Sequence, residues 1–313
     1  MESCYYERVD DIPNSDDDAD DFEYFSPTAA TLSVWASDIQ HGGPPAGLLM
    51  RSLLRCAPDP TQEFTRVTTE ILGPIGLGLN RVRARVVRPG QQIALIEADL
   101  EVRQPDGRYR LAAQSVGWRM RTTDSTTITR APREPLPSPE TLPVVRGVTG
   151  DGDLGVDWGT VGFIGTTDTA ATPGLHGQTP AVWIKPSIDL VEGETMSNLE
   201  SVFTVLDVAN GLGTTLRPDE WTWMNTDTTV HLVGQPTTPW LGIDADMAAG
   251  RHGYGATFAD LYDETKARVY GLVVRVLRDP FTNKPYVHFY TTKRVGGGLL
   301  NPEMLRVLRM AAA

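Results

Sequence analysis

Ser197-Asn-Leu-Glu-Ser-Val-Phe-Thr-Val-Leu-Asp-Val-Ala-Asn-Gly-Leu-Gly213 is the stretch from which the fold follows. Ser197 and Glu200 have the spacing of a capping box, and Gly211 and Gly213 offer a stop, so a helix is predicted from about Asn198 to Gly211. Leu199, Val202, Phe203, Val205, Leu206, Val208 and Ala209 leave it almost no polar face. A helix apolar nearly all round has to be enclosed, here by a sheet wrapped about it. Asp207 breaks the pattern. A carboxylate in such surroundings is costly unless it is paired or used, so it is read either as a functional group or as half of a buried ion pair.

The flanks supply the wrapping. Ala181 to Val191 reads as an extended approach, and strands are predicted over Trp223–Val233, Trp240–Met247, Ala256–Asp263 and Val269–Leu277. Upstream the same order occurs once more. Phe22 to Trp35 is extended, and a helix runs from about Pro44 to Cys56, with Ala46, Leu49, Met50, Leu53, Leu54 and Ala57 on one face. Strands follow at Arg81–Val86, Ile96–Val102 and Tyr109–Met120, with Pro89-Gly90 in the first turn. Val82, Ala84, Val86, Ile96, Ala98, Leu100 and Val102 are expected to face the helix. The alternating arginines are expected to meet Glu97, Asp99 and Glu101 on the solvated face as cross-strand ion pairs. The two copies share element order but hardly any residue identity.

Composition sets the bounds. The chain has 313 residues, room for about two domains, with 40% hydrophobic and 22% charged residues, a globular balance. No apolar run reaches the ~18 residues of a membrane span and no signal peptide is legible, so a soluble, cytoplasmic protein is expected. Cys4 and Cys56 are too few for a disulfide framework or a cysteine zinc site. The net charge of −12 is concentrated in residues 1–25, which carry ten acids against Arg8. The remainder has no basic stripe, which argues against nucleic acid as a partner. Residues 121–179 are rich in Thr and Gly, with Pro132, Pro135, Pro137, Pro139 and Pro143 close together, and read as a connector whose apolar piece, Val161 to Ile164, lies against one of the halves. The expected organisation is an acidic disordered terminus (1–21), two repeated units (22–120 and 180–279) around that connector, and an extension (280–313) containing a helix from Pro302 to Met310 capped by Asn301.

A long helix wrapped by an antiparallel sheet, present twice, resembles the hot-dog fold in its double form, an α+β architecture. His41-Gly-Gly-Pro-Pro-Ala-Gly-Leu-Leu resembles the His-Gly-Gly helix opening of hot-dog thioesterases. Asn225-Thr-Asp-Thr-Thr-Val-His-Leu, followed by Pro239-Trp-Leu-Gly-Ile-Asp-Ala, is similar to the C-terminal half of the acyl-CoA thioesterase II-like family. The resemblance implies an acyl-thioester hydrolase acting on acyl-CoA or an acyl carrier protein, without metal or redox cofactor and without a membrane; it leaves a homo-oligomer open. In such a site, amides at one helix N-terminus stabilise an oxyanion while the other helix offers a carboxylate to the attacking water.

Laid on each other, the copies are complementary. The first has the glycines but Met50 where relatives carry the acid, and the second has Asp207 but Asn198 in place of the glycine opening. One complete site results, combining Gly42 and Gly43 with Asp207, with His41 as a further substrate-binding candidate beside the glycines. The family's strand donor matches Asn225, with Thr228 close by, and its glutamine position matches Arg275, while Gln114 holds the equivalent place in the first copy. An inward Arg275 would pair with Asp207 and lock it, making a binder without turnover, or hold an anionic group. A dehydratase using His41 and Asp207 is a further alternative, though the glycines and prolines follow His41 too closely for that family's spacing. The plainer readings are a positioning role for His41, a tight turn at Gly42 and Gly43, and ordinary strand residues at Asn225 and Thr228. His176, His231, His252 and His288 show no metal-ligand spacing. Trp221, Trp223 and Trp240 read as packing, and Gly76-Leu-Gly and Gly296-Gly-Gly as turns.

Overall fold

The computed structural model describes residues 2–10, 21–130, 134–148, 159, 161–173, 179–216 and 220–264, and the backbone of residues 266–278. The helix expected at Pro302–Met310 and most of the acidic run lie outside the described residues. In the first half the elements are β1 (Cys4–Arg8), β2 (Glu23–Pro27), α1 (Gly43–Arg55), β3 (Gln62–Ile71), β4 (Asn80–Arg88), β5 (Ile93–Arg103) and β6 (Tyr109–Arg121). Then come β7 (Val145–Arg146), β8 (Thr167–Ala171), β9 (Val182–Pro186), β10 (Asp189–Val191), α2 (Asn198–Val205) and α3 (Ala209–Leu212). Strands β11 (Trp223–Leu232), β12 (Leu241–Ala249), β13 (Tyr254–Asp263) and β14 (Lys266–Arg278) complete the order.

All the described strands join one sheet, in the order β10-β1-β2-β4-β5-β6-β3-β11-β14-β13-β12-β9-β8-β7. Outward from its centre the two halves match: β3-β6-β5-β4-β2 on one side, β11-β14-β13-β12-β9 on the other. This is the double hot-dog arrangement, an α+β fold with a helix inside each curled half. The halves meet edge to edge where β3 and β11 pair antiparallel, with the Thr68 and Thr229 hydroxyls 3.1 Å apart across the seam. Strands β9 and β10 are separated by only two residues yet stand near opposite ends of the order, so the strip curls back on itself.

The helices lie side by side inside the strip, touching where the first is stripped of side chains. A Cβ at Gly43 would lie 2.2 Å from the Thr204 carbonyl oxygen, and one at Gly47 would lie 2.1 Å from Thr204 Oγ1. Only glycine permits that approach. Around the helices, Val82, Ile96, Ala98, Leu100 and Val102 are buried as expected, whereas Val86 is exposed because the β4–β5 hairpin runs past the end of the core. The outer ladder forms as expected, with Arg81 to Glu101 at 2.6 Å and Arg85 to Glu97 and Asp99 at 2.5 and 3.0 Å.

Four elements differ from expectation. Residues 4–8, placed by their acidic context in a disordered terminus, form β1, because Cys4, Tyr5 and Tyr6 are buried and the strand pairs with both β2 and β10. Strand β3 escapes the alternation rule because a bulge between Phe64 and Arg66 puts Phe64 and Val67, three apart, among the buried residues. The connector contributes β7 and β8, which extend the second half's edge. The second helix is not continuous: the capping box at Ser197 and Glu200 forms as predicted, but a 3-10 turn at Leu206–Val208 separates α2 from α3. Such a turn within a helix marks a hinge or a strained stretch, and here it carries Asp207.

Candidate active site

The start of α1 is held by a buried polar network. The Gln40 amide donates to the Gly76 carbonyl at 2.7 Å and to Asn80 Oδ1 at 3.1 Å, and the Tyr6 hydroxyl donates to Gln40 Oε1 at 2.7 Å. The next residue is fixed through its backbone, His41 N–H donating to the Thr31 carbonyl at 2.8 Å. Gly42 caps the helix. Pro44 and Pro45 bring no N–H, and the Ala46 N–H is already bonded to the Gly42 carbonyl at 3.1 Å. The two prolines thereby reduce the donors at the positive end of the helix to the amides of Gly42 and Gly43, of which the Gly43 N–H donates to His41 Nδ1 at 3.2 Å.

Asp207 faces this end from the other half. A Cβ on Gly42 would lie 2.8 Å from Asp207 Oδ2 and 2.9 Å from both Cγ and Oδ1, so the carboxylate rests directly against the glycine. Each carboxylate oxygen has its own partner. Asn225 Nδ2 donates to Oδ1 at 2.5 Å, and His41 Nδ1 stands 3.0 Å from Oδ2. Asn225 is oriented in turn by Asn210, whose amide donates to the Asn225 side-chain carbonyl. The Asp207 and His41 side chains keep 14% and 10% of their surface accessible.

His41, Gly42, Gly43, Asp207 and Asn225 are thus brought together as the complementary copies implied. Thr228 is buried on the same strand as Asn225, and the β-bulge between Asn225 and Asp227 shifts the strand's alternation between the two. No polar contact joins Thr228 to Asp207 among the described residues. Gln114 is elsewhere. Its amide donates to Glu97 Oε1 at 2.9 Å and Asp99 Oδ1 at 2.7 Å, which puts it in the outer ion-pair ladder rather than the pocket. The reason is phase: side chains alternate along a strand, and Gln114 pairs with Asp99 on the solvated face. Arg275 stands in backbone register with Asp227, one step removed from the residues opposite Asn225 and Thr228, which are Val276 and Val274. The side chain of Arg275, and with it the expected pairing to Asp207, lies outside the described residues.

Two contributors were not identified from the sequence. Asn210 carries no signal apart from its place one helical turn after Asp207. Phe163 belongs to the apolar piece expected to lie against one half. It is fully buried, its ring 4.5 Å from that of His41 and its edge 3.0 Å from where a Gly43 Cβ would be. The connector therefore forms a wall of the site. Among the described residues no group of three or more His, Cys, Asp or Glu side chains is placed to hold a metal ion, and no helix is long and apolar enough to cross a membrane.

Chemically, the arrangement offers paired amides at a helix N-terminus, a partly accessible carboxylate held against them, and an imidazole in contact with that carboxylate. It can stabilise an anion forming on an oxygen and accept a proton beside it. The family model described as the acyl-CoA thioesterase N-terminal domain matches residues 31–120, and the one described as the acyl-CoA thioesterase C-terminal domain matches residues 131–270. Among solved structures, a conserved protein of unknown function with a hot-dog fold from Alicyclobacillus acidocaldarius is similar at 12% identity, with TM-score 0.62 over 84% of this chain and 95% of that one. An acyl-CoA thioesterase II from Mycobacterium marinum is similar at 13% identity, with TM-score 0.59 over 85% of this chain and 95% of that one. At such identities these likenesses show the fold. No protein of curated function matches the chain significantly in sequence.

Proposed function

This chain belongs to the acyl-CoA thioesterase family, and we propose that it hydrolyses an acyl thioester, of coenzyme A or of an acyl carrier protein, by water attack assisted by Asp207. The observation that carries this reading is the seat of the Asp207 carboxylate against Gly42, at the one end of α1 where prolines leave two amides. The acid and the oxyanion donors come from different copies.

In this mechanism the thioester carbonyl oxygen binds at the Gly42 and Gly43 amides. Water beside Asp207 gives a proton to the carboxylate as its oxygen adds to the carbonyl carbon. The negative charge that develops on the carbonyl oxygen is met by the two amides and the helix dipole. The tetrahedral intermediate then collapses, the carbon–sulfur bond breaks, and the proton held on Asp207 passes to the departing thiolate. The products are a carboxylic acid and a free thiol. Asn225, donating to Oδ1, holds the carboxylate plane so that Oδ2 faces the amide end.

The dehydratase alternative gains nothing from the geometry. Its weakness lies in the sequence, where the glycines and prolines follow His41 too closely for that family's spacing. The test is a panel of short, medium and long acyl-CoA substrates with release of free thiol as readout. Turnover on at least one is expected, with Asp207→Asn lowering kcat by about 100-fold or more, the scale of a lost general base. Hydrolysis left intact by Asp207→Asn refutes the assignment. Acyl-CoA binding without turnover by the parent protein, together with no turnover of an acyl carrier protein thioester, refutes hydrolysis itself.

A further inference from the structure

Residues 33–39, Ser-Val-Trp-Ala-Ser-Asp-Ile, form a loop that leaves the site and returns to it. Its base is laced shut, the Ser33 N–H donating to the Ile39 carbonyl at 3.0 Å and the His41 N–H to the Thr31 carbonyl at 2.8 Å. Two neighbouring segments hold the same base. The Gln40 N–H donates to the Ile75 carbonyl at 2.7 Å, and the Phe163 N–H to the Leu32 carbonyl at 3.0 Å. The loop is thus anchored beside His41, whose ring stands 3.0 Å from Asp207. From within it Trp35 reaches into the second half, where its ring meets that of Trp223 edge-on, with centroids 5.2 Å apart.

Trp223 places that contact close to the carboxylate. It stands two residues before Asn225 on β11, and both are buried, so the two side chains share the inner face about 7 Å apart. Asn225 in turn donates to Asp207 Oδ1 at 2.5 Å. The loop therefore bridges the two groups that flank Asp207, tied at its base to His41 and through Trp35 to the neighbour of Asn225. The Phe163 side of the site is filled by a fully buried ring. On the loop side Trp35 is only half-buried, and Ser37 and Asp38 are exposed, so this is the wall that separates the site from solvent.

A thioester with its carbonyl at the helix end extends two arms, acyl and thiol. The thiol arm carries phosphate, in coenzyme A as in an acyl carrier protein, and phosphate calls for cationic and hydrogen-bonding partners. The loop is ill suited to it, with Asp38 as its one charged residue and no base. Val34 and Trp35 instead pack against the hydrophobic core, which makes an apolar wall suited to the acyl arm. We propose that Trp35, propped on Trp223, is a specificity-determining residue that closes the acyl side of the site and confines it to short acyl groups. The proposal rests on the reading of this chain as an acyl-thioester hydrolase and adds the class of acyl group that the same site takes.

The experiment compares the full-length parent protein with Trp35→Ala and Trp35→Phe. Thiol release is followed on butyryl-, octanoyl- and palmitoyl-CoA, and binding of the corresponding non-hydrolysable S-alkyl-CoA thioethers is measured by calorimetry. The parent is expected to favour butyryl-CoA. One methylene in an apolar pocket is worth about 10-fold or more in discrimination. Removal of the indole should therefore raise the palmitoyl-to-butyryl ratio of kcat/KM at least about 10-fold. Trp35→Phe, which keeps a smaller ring, should raise it less, and thioether affinities should shift in the same order. If Trp35→Ala does not fold, Trp35→Phe carries the same test. A parent that already prefers palmitoyl-CoA overturns the proposal. So does a variant that loses activity on every chain length alike, since that marks a packing role alone. Absence of turnover, with thioether affinities that shift as expected, refutes hydrolysis and leaves the acyl wall standing. Turnover with an unchanged chain-length ratio in both variants refutes the wall and leaves hydrolysis standing, and a parent that neither binds a thioether nor cleaves a thioester overturns both.

Discussion

Replacing Gly42 with alanine tests the site without touching a reactive group. The backbone there has φ −66° and ψ −18°, which any residue adopts, so the substitution carries no conformational strain. The whole effect comes from one methyl group. Its carbon would lie 2.8 Å from Asp207 Oδ2 and 2.9 Å from Cγ and Oδ1, where an ordinary contact is 3.4–4 Å. The carboxylate must retreat by about half an ångström or more. It cannot do so freely, because Asn225 at 2.5 Å and His41 at 3.0 Å tie its two oxygens. A displacement of this size at a reacting group costs up to about 100-fold in rate, or about 2.7 kcal/mol of transition-state stabilisation. The fold should tolerate it, since the clash falls on a side chain with some accessible surface. Purified Gly42→Ala should therefore melt within a few degrees of the parent protein, about the shift produced by 1 kcal/mol or less, while kcat for thiol release falls about 10- to 100-fold. Gly43→Ala makes the contrast, because its methyl would meet the backbone oxygen of Thr204 at 2.2 Å and should disrupt packing of the two helices outright. A folded Gly42→Ala protein with kcat within about threefold of the parent, well inside the effect computed for a displaced carboxylate, would refute the placement of Asp207 as the working acid.

Gly47→Ala should destabilise the protein by about 1–3 kcal/mol through its contact with Thr204 Oγ1; combined with Thr204→Ala the loss should be less than additive, as thermal melts of the four proteins would reveal. Glu194 takes hydrogen bonds from the fully buried Arg51, at 2.8 Å to each oxygen, and that pairing holds its carboxyl below the ordinary 4.5, with burial opposing. A depressed carboxyl stabilises the fold above its unfolded pKa and loses that contribution as pH falls through the folded one. Glu194→Gln should accordingly cost about 1–3 kcal/mol near neutrality, with the gap to the parent closing as denaturation is repeated at progressively lower pH beneath 4.5. Gln114→Ala should leave thiol release unchanged, because its amide serves Glu97 and Asp99 on the outer face; a drop in kcat with the melt unaltered would put Gln114 back in the site.

The parts legible in the sequence are those whose cause is local. The capping box at Ser197 and Glu200 spans one helical turn, and the arginine–carboxylate ladder spans one hairpin, so each could be read from residues adjacent in the chain. The apolar surround of Asp207 likewise declared α2 buried, and burial implied the wrapping sheet. Even the union of Gly42 and Gly43 with Asp207 followed from laying one copy on the other, since duplicated units pair by symmetry. What escaped has a cause elsewhere. Strand β3 carries a bulge that breaks its period, and β1 gains its stability from a strand some 180 residues away.

Sequence by itself thus determined two enclosed helices, their sheets, and which copy holds the acid. Tertiary structure alone decided which face position 114 occupies, that Phe163 closes the pocket, and that His41 Nδ1 stands between a carboxylate and an amide. Side chains along a strand change face at every residue, so an assignment one step out of phase sends a group to the opposite side of the sheet. The meeting of Nδ1 with Asp207 depends on fractions of an ångström set by packing between segments more than a hundred residues apart, which no spacing within either segment encodes.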